Sequence, residues 1–432
     1  MEITREEIFE YHKGGKVGTD LTAPFASLKD LCLAYTPGVA QAVLEIAEHP
    51  KTVFDYTSKK NLVGVVSDGT AILGLGDRGA SASIPVMEGK AVLFKAFGDV
   101  DGWPIPLNCV RKDGLSEGPT DPQRIIDAVC AIAPMYGGIN LEDIAAPACF
   151  EIEDKLDKML DIPVFHDDQW GTAVITLAAV LNYCVLSDKK LEDLKIIVNG
   201  AGAAGIRIAQ MIKAAGATNV IMCDSKGPLS TSRELTGKKL EMAVDTDATT
   251  MQQALVGADV FVGVSIANCL SKEAVATMAD YPAIMAMANP DPEISPADVK
   301  LALGDKPYVI ATGRSDYPNQ VNNVLGFPYL FRGALDAEAT TINMEMKVAA
   351  SQALAELARE EVPQYVKDLY NEPEMTFSNK YILPKPFDPR LFEVIPYAVA
   401  MAAEKTGAAR VPLTNYKAEL AERNKKRMKL FE

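Results

Sequence analysis

A glycine-rich turn between a strand and a helix constrains this fold more than any other feature of the chain. Its glycines are Gly200, Gly202 and Gly205, and they follow a short apolar run, 195–199, typical of a buried parallel strand. Apolar residues then recur at helical spacing, and a second apolar run ends at Asp224, roughly 20 residues after the last glycine. The order strand, glycine turn, helix, strand and acid predicts a Rossmann-type dinucleotide-binding unit.

Each glycine of the turn has its own physical role in such a unit. Gly200 permits the tight turn, Gly202 lets backbone amides approach a pyrophosphate, and Gly205 allows the helix to pack closely on the strand. We also assign Ala203 and Ala204 to the cofactor site, because the N-terminus of the following helix favours an anion. The alternative is a strand–helix turn that merely requires small residues, and the strand–helix–strand context makes it the weaker interpretation.

The end of the second strand leaves the choice between NAD and NADP open. Asp224 would accept hydrogen bonds from the ribose hydroxyls, which suits NAD. Ser225, Lys226 and, further along, Arg233 could instead meet a 2′-phosphate. We therefore predict NAD or NADP as the cofactor.

The alternation of strand and helix patterns predicts an α/β protein with two doubly wound domains, the second of them Rossmann-type, and a helical C-terminal extension. We expect a substrate- and metal-binding domain at 1–165, an NAD(P)-binding domain at 166–335 and the extension at 336–432. A helix from about 171 to 187 should bridge the two domains. Strands are predicted at 62–66, 105–110, 139–141, 163–165, 195–199, 220–223, 259–264, 283–288 and 308–311.

Two pairs of adjacent acids, Glu142-Asp143 and Asp167-Asp168, each follow the end of a predicted strand. The carboxyl ends of parallel strands meet at one rim of a sheet, where ligands collect. Four carboxylates crowded there would repel one another unless a cation or protons intervene, and an all-oxygen set suits Mg²⁺ or Mn²⁺ better than zinc. The alternative is that Asp143 and Asp168 are helix N-caps; two pairs at two strand ends favour the metal.

Four further side chains are candidates for substrate chemistry. Lys90 lies in an apolar stretch of a predicted helix, where a buried lysine near a cation would lose pKa and could act as a base; Lys95 is the runner-up. Taken alone, Tyr35 is more typical of a packed turn. Asn289 and Asn323 could bind a carboxylate or a nicotinamide edge, or simply form turns.

Charge and cysteine usage narrow the class of protein. The net charge is −15 and the basic residues are scattered, which argues against a nucleic-acid or anionic-membrane surface. The longest apolar stretch, 173–186, is too short and too mixed to span a bilayer. The 7 cysteines are isolated, with no C-x-x-C motif, which predicts buried reduced thiols and a cytoplasmic location.

Several long motifs occur in one order along the chain, and together they resemble the malic enzymes of the compact bacterial type. They are LAYTPGVA at 33–40, GLGD at 74–77, VMEGK at 86–90, NLED at 140–143, FHDDQWGT at 165–172, the glycine turn, and PNQVNN at 318–323. The resemblance implies oxidative decarboxylation of (S)-malate to pyruvate and CO₂ with NAD(P)⁺ and a divalent metal. It also implies a homodimer that binds small molecules rather than nucleic acid or membrane.

The resemblance also implies roles for individual residues. Glu142, Asp143 and Asp168 match the metal ligands of the family, Lys90 matches its general base, and Tyr35 matches its general acid.

The remaining matches concern substrate and the lysine. Asp167 matches an acid that pairs with the lysine and tunes it, while Asn289 and Asn323 match substrate-binding amides; Asn289 is also assigned to the cofactor site. One departure is Ala71, which stands where larger eukaryotic relatives carry an arginine for the substrate carboxylate. Either another group meets that carboxylate, with Arg78 nearby in sequence, or malate binds less tightly.

Two other functions fit parts of the pattern. A metal-free NAD(P)-dependent dehydrogenase on the same two-domain plan would leave both acid pairs structural, and a requirement for Mn²⁺ or Mg²⁺ would separate it from the first interpretation. A non-catalytic NAD(P)-sensing protein would need Tyr35 and Lys90 to be inert, although both lie within long matching motifs.

Overall fold

The computed structural model describes residues 3–115 and 117–431, which form two β-sheets, one of four strands and one of six. The first sheet is parallel, in the spatial order β2-β1-β3-β4. Its strands are β1 (Leu62–Ser67), β2 (Asp101–Pro106), β3 (Gly138–Leu141) and β4 (Val164–His166). The helices of this part are α1 (Arg5–His12), α2 (Leu28–Ala34), α3 (Val39–Glu48), α4 (Val53–Tyr56), α5 (Ala80–Gly98), α6 (Pro122–Ile132) and α7 (Ala148–Met159).

The second sheet has the order β10-β9-β8-β5-β6-β7, and only the short β7 runs antiparallel among its described strands. This is the doubly wound dinucleotide-binding order, with β7 at the position of the third strand. The strands are β5 (Lys195–Asn199), β6 (Asn219–Asp224), β7 (Gly227–Pro228), β8 (Val260–Gly263), β9 (Ala283–Ala286) and β10 (Val309–Thr312). The helices are α9 (Ala203–Ala214), α10 (Gly237–Glu241), α11 (Met251–Leu255), α12 (Lys272–Ala276) and α13 (Pro296–Leu303). The α/β class and the Rossmann-type second sheet are thereby confirmed.

One long helix, α8 (Asp167–Ser187), connects the two sheets. It begins at the residue after β4 and packs against α9 and α15. By length and composition α8 could cross a bilayer, but 67% of its most apolar window is buried inside the protein, as in the core helix of a globular fold. The helix begins four residues before the predicted start, because acids in a first turn are favoured by the helix dipole.

The C-terminal part is helical, as predicted, and returns to the first sheet. Its helices are α14 (Phe327–Asp336), α15 (Met344–Arg359), α16 (Gln364–Tyr370), α17 (Leu391–Thr406) and α18 (Tyr416–Arg427). Phe327 and Phe331 of α14 pack edge-on against Phe94 of α5, with ring centres 4.8 and 5.2 Å apart. Arg427 of α18 donates to the Ala96 carbonyl. The last hundred residues thus help to fix α5.

The N-terminal helices make a surface rather than a core. Within residues 3–57, all of which the structure describes, no residue is buried. We call the large apolar side chains exposed on α2, α3 and the segment before them the N-terminal apolar face; its members are Leu21, Phe25, Leu28, Leu31, Leu33, Tyr35, Val43 and Leu44. Leu28 is 81% exposed, although α2 and α3 have the apolar composition of buried helices.

Two sequence expectations are wrong in detail. The strand expected at 105–110 is Asp101–Pro106, because β1 pairs with these residues, and the left-handed φ of 59° at Cys109 excludes a continuous extended run through 105–110. All 7 cysteines lie in the described ranges and are free thiols, but Cys32 and Cys109 are exposed rather than buried.

Candidate active site and nucleotide cleft

Three of the four paired acids meet at the carboxyl end of the first sheet. Glu142 and Asp143 follow β3, Asp168 lies in the first turn of α8, and their ligand oxygens all lie within 4.8 Å of one another. The backbone N–H of Asp143 donates to Asp168 Oδ2 at 2.7 Å, which fixes the distance between the two segments. We call these three residues the carboxylate cluster.

Local backbone geometry turns two adjacent acids into one site. Asp143 has a φ of 54°, and its carbonyl accepts a hydrogen bond from the N–H of Ala71, so the chain bends sharply after β3. The alternative of helix capping is wrong, because the N-cap residues of α7 and α8 are Pro147 and His166, and neither makes a side-chain cap bond.

The electrostatics of the cluster fit a divalent cation. Burial raises the pKa of Glu142 well above its usual range; Lys90 lowers it, but repulsion from Asp168, Asp167 and Asp143 adds to the effect of burial. Within the described residues, the side-chain oxygens Asn140 Oδ1 and Asp167 Oδ1 are buried beside the cluster without a hydrogen-bond partner. An all-oxygen donor set with excess negative charge matches the preference of Mg²⁺ or Mn²⁺.

Lys90 projects from α5 into the same site. Its Nζ lies 2.6 Å from Asp167 Oδ2 and 2.8 Å from Glu142 Oε1, and 4.2 Å from the ring centre of Phe327. Burial lowers the pKa of Lys90, but the two carboxylates outweigh burial and raise it above the usual lysine value. The expected lowering is therefore reversed here, because the nearest charges are anions. Lys95, by contrast, is half-exposed and pairs with acids outside this site.

Asp167 joins the lysine to the second domain. Its Oδ2 also accepts from Asn323 Nδ2 at 3.2 Å, and Asn323 Oδ1 accepts from Thr172 Oγ1 at 3.0 Å. An added Cβ at Gly171 would clash with the Asp167 carboxylate and the Asn323 amide, so glycine is required where they approach α8.

Two of the predicted residues lie apart from this group. Tyr35, at the C-terminal end of α2, is 70% exposed, and no hydrogen bond in the described part of the chain joins its side chain to Lys90 or Asp167. Asn289 follows β9 in a loop between the two domains. Its side-chain oxygen lies 3.1 Å from the position of a Cβ on Gly313, and its carbonyl oxygen 3.8 Å from that of a Cβ on Gly74.

A cavity of about 530 Å³ lies at the carboxyl ends of β5, β6 and β8. Its size is in the range of small-molecule and cofactor sites. It is lined by Asn199, Gly200, Ala201, Asp224, Ser225, Lys226, Gly227, Thr249, Thr250, Met251, Gln252, Ser265, Ile266 and Cys269. The glycine turn and the acid at the end of the second strand thus border one cleft.

The three glycines of the turn have different surroundings. Gly200 has a φ of 122°, and a Cβ there would lie 2.5 Å from the Val264 carbonyl. A Cβ on Gly205 would clash with the Gly200 carbonyl, whereas a Cβ on Gly202 would meet nothing within 4 Å. Packing therefore requires Gly200 and Gly205, while Gly202, the N-cap of the helix that carries Ala203 and Ala204, opens onto free space.

Both carboxylate oxygens of Asp224, at the end of β6, accept hydrogen bonds. Its Oδ2 accepts from Arg233 Nη2 at 2.9 Å and from Lys239 Nζ at 3.2 Å, and its Oδ1 accepts from the N–H of Lys226 at 2.9 Å. Burial raises the pKa of Asp224, but these hydrogen bonds and the charge of Arg233 outweigh it and lower the pKa to about 2.

Sequence reasoning missed one supporting acid. Glu293 is fully buried and accepts backbone hydrogen bonds from Ser265 at 2.9 Å and Ala288 at 3.0 Å, which ties together the loops after β8 and β9. Burial raises its pKa despite these bonds. The surrounding Pro-Asp-Pro sequence indicates only a turn, so no local signal could have found this contact.

The sequence and the fold match known proteins over most of their length. Family models described as "Malic enzyme, N-terminal domain" and "Malic enzyme, NAD binding domain" match residues 15–157 and 170–374. The NADP-dependent malic enzyme of Halomonas elongata is 50% identical over 95% of this chain and 96% of its own length. The crystal structure of the malic enzyme from Pyrococcus horikoshii superposes with a TM-score of 0.85 at 39% identity, covering 99% of each chain.

Other relatives are longer. The probable NADP-dependent malic enzyme of Rickettsia prowazekii is 49% identical over 98% of this chain, which covers 55% of that relative. The chain thus spans about half the length of that protein.

Proposed function

Because this chain belongs to the malic enzyme family, we propose that it oxidatively decarboxylates (S)-malate to pyruvate and CO₂, with NAD(P)⁺ as hydride acceptor and a divalent metal. The observation that carries the proposal is the carboxylate cluster, of which Glu142 and Asp143 are buried, in direct contact with the Lys90–Asp167 pair. A metal-free dehydrogenase would have no use for three converging carboxylates at this rim.

Glu142, Asp143 and Asp168 would hold Mg²⁺ or Mn²⁺. Bound there, the cation supplies Lewis acidity toward the hydroxyl and adjacent carboxylate of malate and stabilises negative charge that develops on oxygen. The excess negative charge of the cluster and the buried oxygens beside it support this assignment.

Lys90 takes the hydroxyl proton of malate as the C2 hydride leaves. It must be neutral to do so, and the anions that now hold its proton are Asp167 and Glu142. Glu142, if it held a cation, would have its negative charge offset, and the pKa of Lys90 would then be lower. Asp167 then remains as the group that orients the amine, and Asn323 holds Asp167 in place.

Asn289 and Asn323 bind substrate carboxylate. Asn323 has two amide hydrogens; Nδ2 donates to Asp167 Oδ2 at 3.2 Å and makes only a long contact of 3.5 Å with the Asp167 carbonyl, which a substrate carboxylate could replace. The loop that carries Asn289 lies against Gly74 of the first domain. The malate would bind where these two domains meet. These amides supply hydrogen bonds where Ala71 cannot, since its side chain has no polar group.

Tyr35 completes the reaction by protonating carbon. Oxidation leaves a carbonyl β to the second carboxylate, so CO₂ departs with its bonding electrons left on the enolate of pyruvate, and C3 of this enolate takes a proton from the tyrosine hydroxyl. Because Tyr35 lies exposed on the N-terminal apolar face, we infer a homodimer in which Tyr35 of the partner subunit reaches the Lys90 site. Covering that face against a second copy would also remove its apolar side chains from water.

The free thiols, together with the absence of any disulfide among the 7 cysteines, support a cytoplasmic location.

The first test follows reduced-cofactor absorbance after addition of (S)-malate, with NAD⁺ and NADP⁺ in parallel, with and without Mn²⁺, and with pyruvate assayed. The proposal expects metal-dependent reduction with one pyruvate formed per reduced cofactor. Reduction without metal, with oxaloacetate as a stable product, would identify a simple dehydrogenase. Binding of cofactor without reduction of any hydroxy acid would support a sensing protein.

A further inference from the structure

Four charged residues gather where β6 ends at the nucleotide cleft. Asp224 lies among Lys226, Arg233 and Lys239, and the carboxylate receives hydrogen bonds from Arg233 and Lys239. One anion thus faces three cations, so this corner of the cleft carries a net positive charge within a chain whose total is −15.

The corner is where the adenosine ribose of a dinucleotide is recognised in doubly wound folds, at the end of the strand after the glycine turn. An enzyme that selects NAD uses the acid there to accept hydrogen bonds from both ribose hydroxyls, and the same charge repels a 2′-phosphate. In this chain Asp224 Oδ2 already accepts from two cations and Oδ1 from a backbone N–H. NAD would have to compete for an acceptor that is in use.

We propose that this cleft selects NADP over NAD, with the 2′-phosphate bound by Ser225 and Lys226 beside an Asp224 neutralised by Arg233 and Lys239. The proposal rests on the dinucleotide-dependent function above, and it adds which dinucleotide is used and which residues decide it. Ser225 and Lys226 line the cavity and are exposed to it, so a hydroxyl and an ammonium are free to meet the phosphate.

Arg233 acts through its neighbours and is a positioning residue. Its Nη1 donates to the carbonyls of Gly227 and Pro228 at 3.0 and 2.7 Å, while Nη2 holds Asp224. It therefore fixes the hairpin that presents Ser225 and Lys226, and its positive charge offsets the Asp224 carboxylate that would otherwise repel a phosphate.

The turn itself leaves little freedom. Gly227 has a φ of 103°, and a Cβ there would clash with the Thr249 carbonyl, so the hairpin packs directly against segment 249–250, which also lines the cavity. The two phosphate-binding residues are thus held at a fixed place on the rim.

Binding of fragments that cannot react separates this inference from turnover. Calorimetry would compare adenosine 2′,5′-bisphosphate with adenosine 5′-diphosphate on the full-length protein. A charge-assisted site should bind the 2′,5′-bisphosphate on the order of 10- to 100-fold more tightly, with the difference shrinking as salt rises. Equal affinity for the two fragments would overturn the proposal, whatever the protein does to malate.

Variants identify the residues. Lys226→Ala should remove most of the preference for the 2′-phosphate and leave the affinity for adenosine 5′-diphosphate unchanged, because the Lys226 side chain makes no described contact that holds the hairpin. Lys306→Ala, an exposed lysine elsewhere in the same domain, is the matched control and should change neither affinity.

Asp224→Asn tests whether Asp224 instead binds the ribose of NAD. Asparagine has nearly the same size as aspartate, so the hairpin should keep its shape. If Asp224 serves only to balance Arg233 and Lys239, this variant should bind the 2′,5′-bisphosphate at least as tightly as the wild type. If Asp224 is instead the acceptor for an NAD ribose, the variant should lose affinity for adenosine 5′-diphosphate, and the inference would be wrong.

Discussion

Lys90 Nζ lies 2.6 Å from Asp167 Oδ2, in a buried pair that joins α5 to the first residue of α8. The same ammonium touches Glu142, which belongs to the carboxylate cluster. One lysine is therefore shared between the candidate metal site and the helix that leads to the nucleotide domain. Its removal should lower the rate of turnover and leave nucleotide affinity unchanged.

Lys90→Ala should abolish turnover while leaving nucleotide affinity nearly unchanged. Loss of a positioned base costs about 10²- to 10⁴-fold in rate, and the nucleotide cleft contains none of its contacts. Steady-state kinetics and calorimetric nucleotide titration measure the two effects separately. Lys95→Ala, on the same helix but half-exposed, is the control and should retain activity. Retained turnover with lost nucleotide binding would remove Lys90 from its assigned role.

Asp168→Asn should weaken Mn²⁺ binding by at least about 100-fold. Mutation of a residue that only hydrogen-bonds to a metal ligand already lowers metal affinity by about 10- to 100-fold. The measurement is a Mn²⁺ titration followed by electron paramagnetic resonance of the free ion. Asp161→Asn, an exposed acid with 84% of its side chain accessible, should leave the titration unchanged. An unaltered curve for Asp168→Asn would exclude it as a ligand.

Gly205→Ala should lower the stability of the fold, whereas Gly202→Ala should lower the affinity for the dinucleotide. A Cβ on Gly205 collides with the Gly200 carbonyl, so that variant should melt at a lower temperature. A Cβ on Gly202 meets nothing in the protein, so the fold should persist while dinucleotide affinity falls, because the methyl group occupies the approach of the pyrophosphate. Thermal melting and calorimetry distinguish the two, and normal nucleotide binding by Gly202→Ala would contradict its role.

Two inactive variants should rescue each other if Tyr35 acts across a dimer. After Tyr35→Phe and Lys90→Ala are unfolded together and refolded, half of the dimers should be mixed, and each mixed dimer should have one intact site. The mixture should recover about one quarter of wild-type activity, given random pairing in a two-fold dimer. No recovery, with dimers present by light scattering, would mean that both residues serve the same subunit.

Lys347 gives a prediction about stability and pH. It is buried with Nζ 3.9 Å from the ring centre of Trp170, and burial lowers its pKa to about 8. The unfolded chain, with an ordinary lysine pKa of about 10.4, binds more protons between these values, so stability should rise as pH increases from about 8 to about 10.4. Lys347→Met should flatten this rise and stabilise the protein at pH 7 by on the order of 1 kcal/mol.

Chemical denaturation across that pH range measures the effect, with Lys425→Met on the exposed side of α18 as the control. A slope that survives in Lys347→Met would assign the pH dependence to other groups, among which Lys59 is the first candidate because burial also lowers its pKa to about 8.

Local patterns were enough to predict the second sheet and the location of the acids. Buried parallel strands are nearly continuous apolar runs, and the run at 195–199 predicts β5 with its observed bounds. Because ligand-binding residues follow the carboxyl ends of parallel strands, the sequence also predicts that Glu142 and Asp168 share one rim, as they do. The partners of Lys90 and Asp224 were not predictable in this way. Lys90 and Asp167 are 77 positions apart, and their contact depends on how α5 packs against the sheet.

One wrong prediction has its origin in tertiary packing. The pKa of Lys90 was expected to fall, but its sign depends on which charges are nearest, and those are set by tertiary packing. The exposed apolar side chains of α2 and α3 show a related limit, because a sequence pattern reports only that a face prefers to leave water. It does not say whether the covering surface belongs to the same chain.

The number of residues in α8 sets the distance between the carboxylate cluster and the nucleotide-binding sheet. The helix is 21 residues long, starts with Asp167 and Asp168, ends at Ser187, and is joined by the short segment 188–194 to the strand that leads into the glycine turn. Each residue of an α-helix adds about 1.5 Å and about 100° of rotation. A single insertion would therefore turn the acids away from Lys90 or displace the whole nucleotide sheet. Substitutions in α8 can be absorbed by repacking, whereas a change in its length would alter the distance between the carboxylate cluster and the nucleotide cleft.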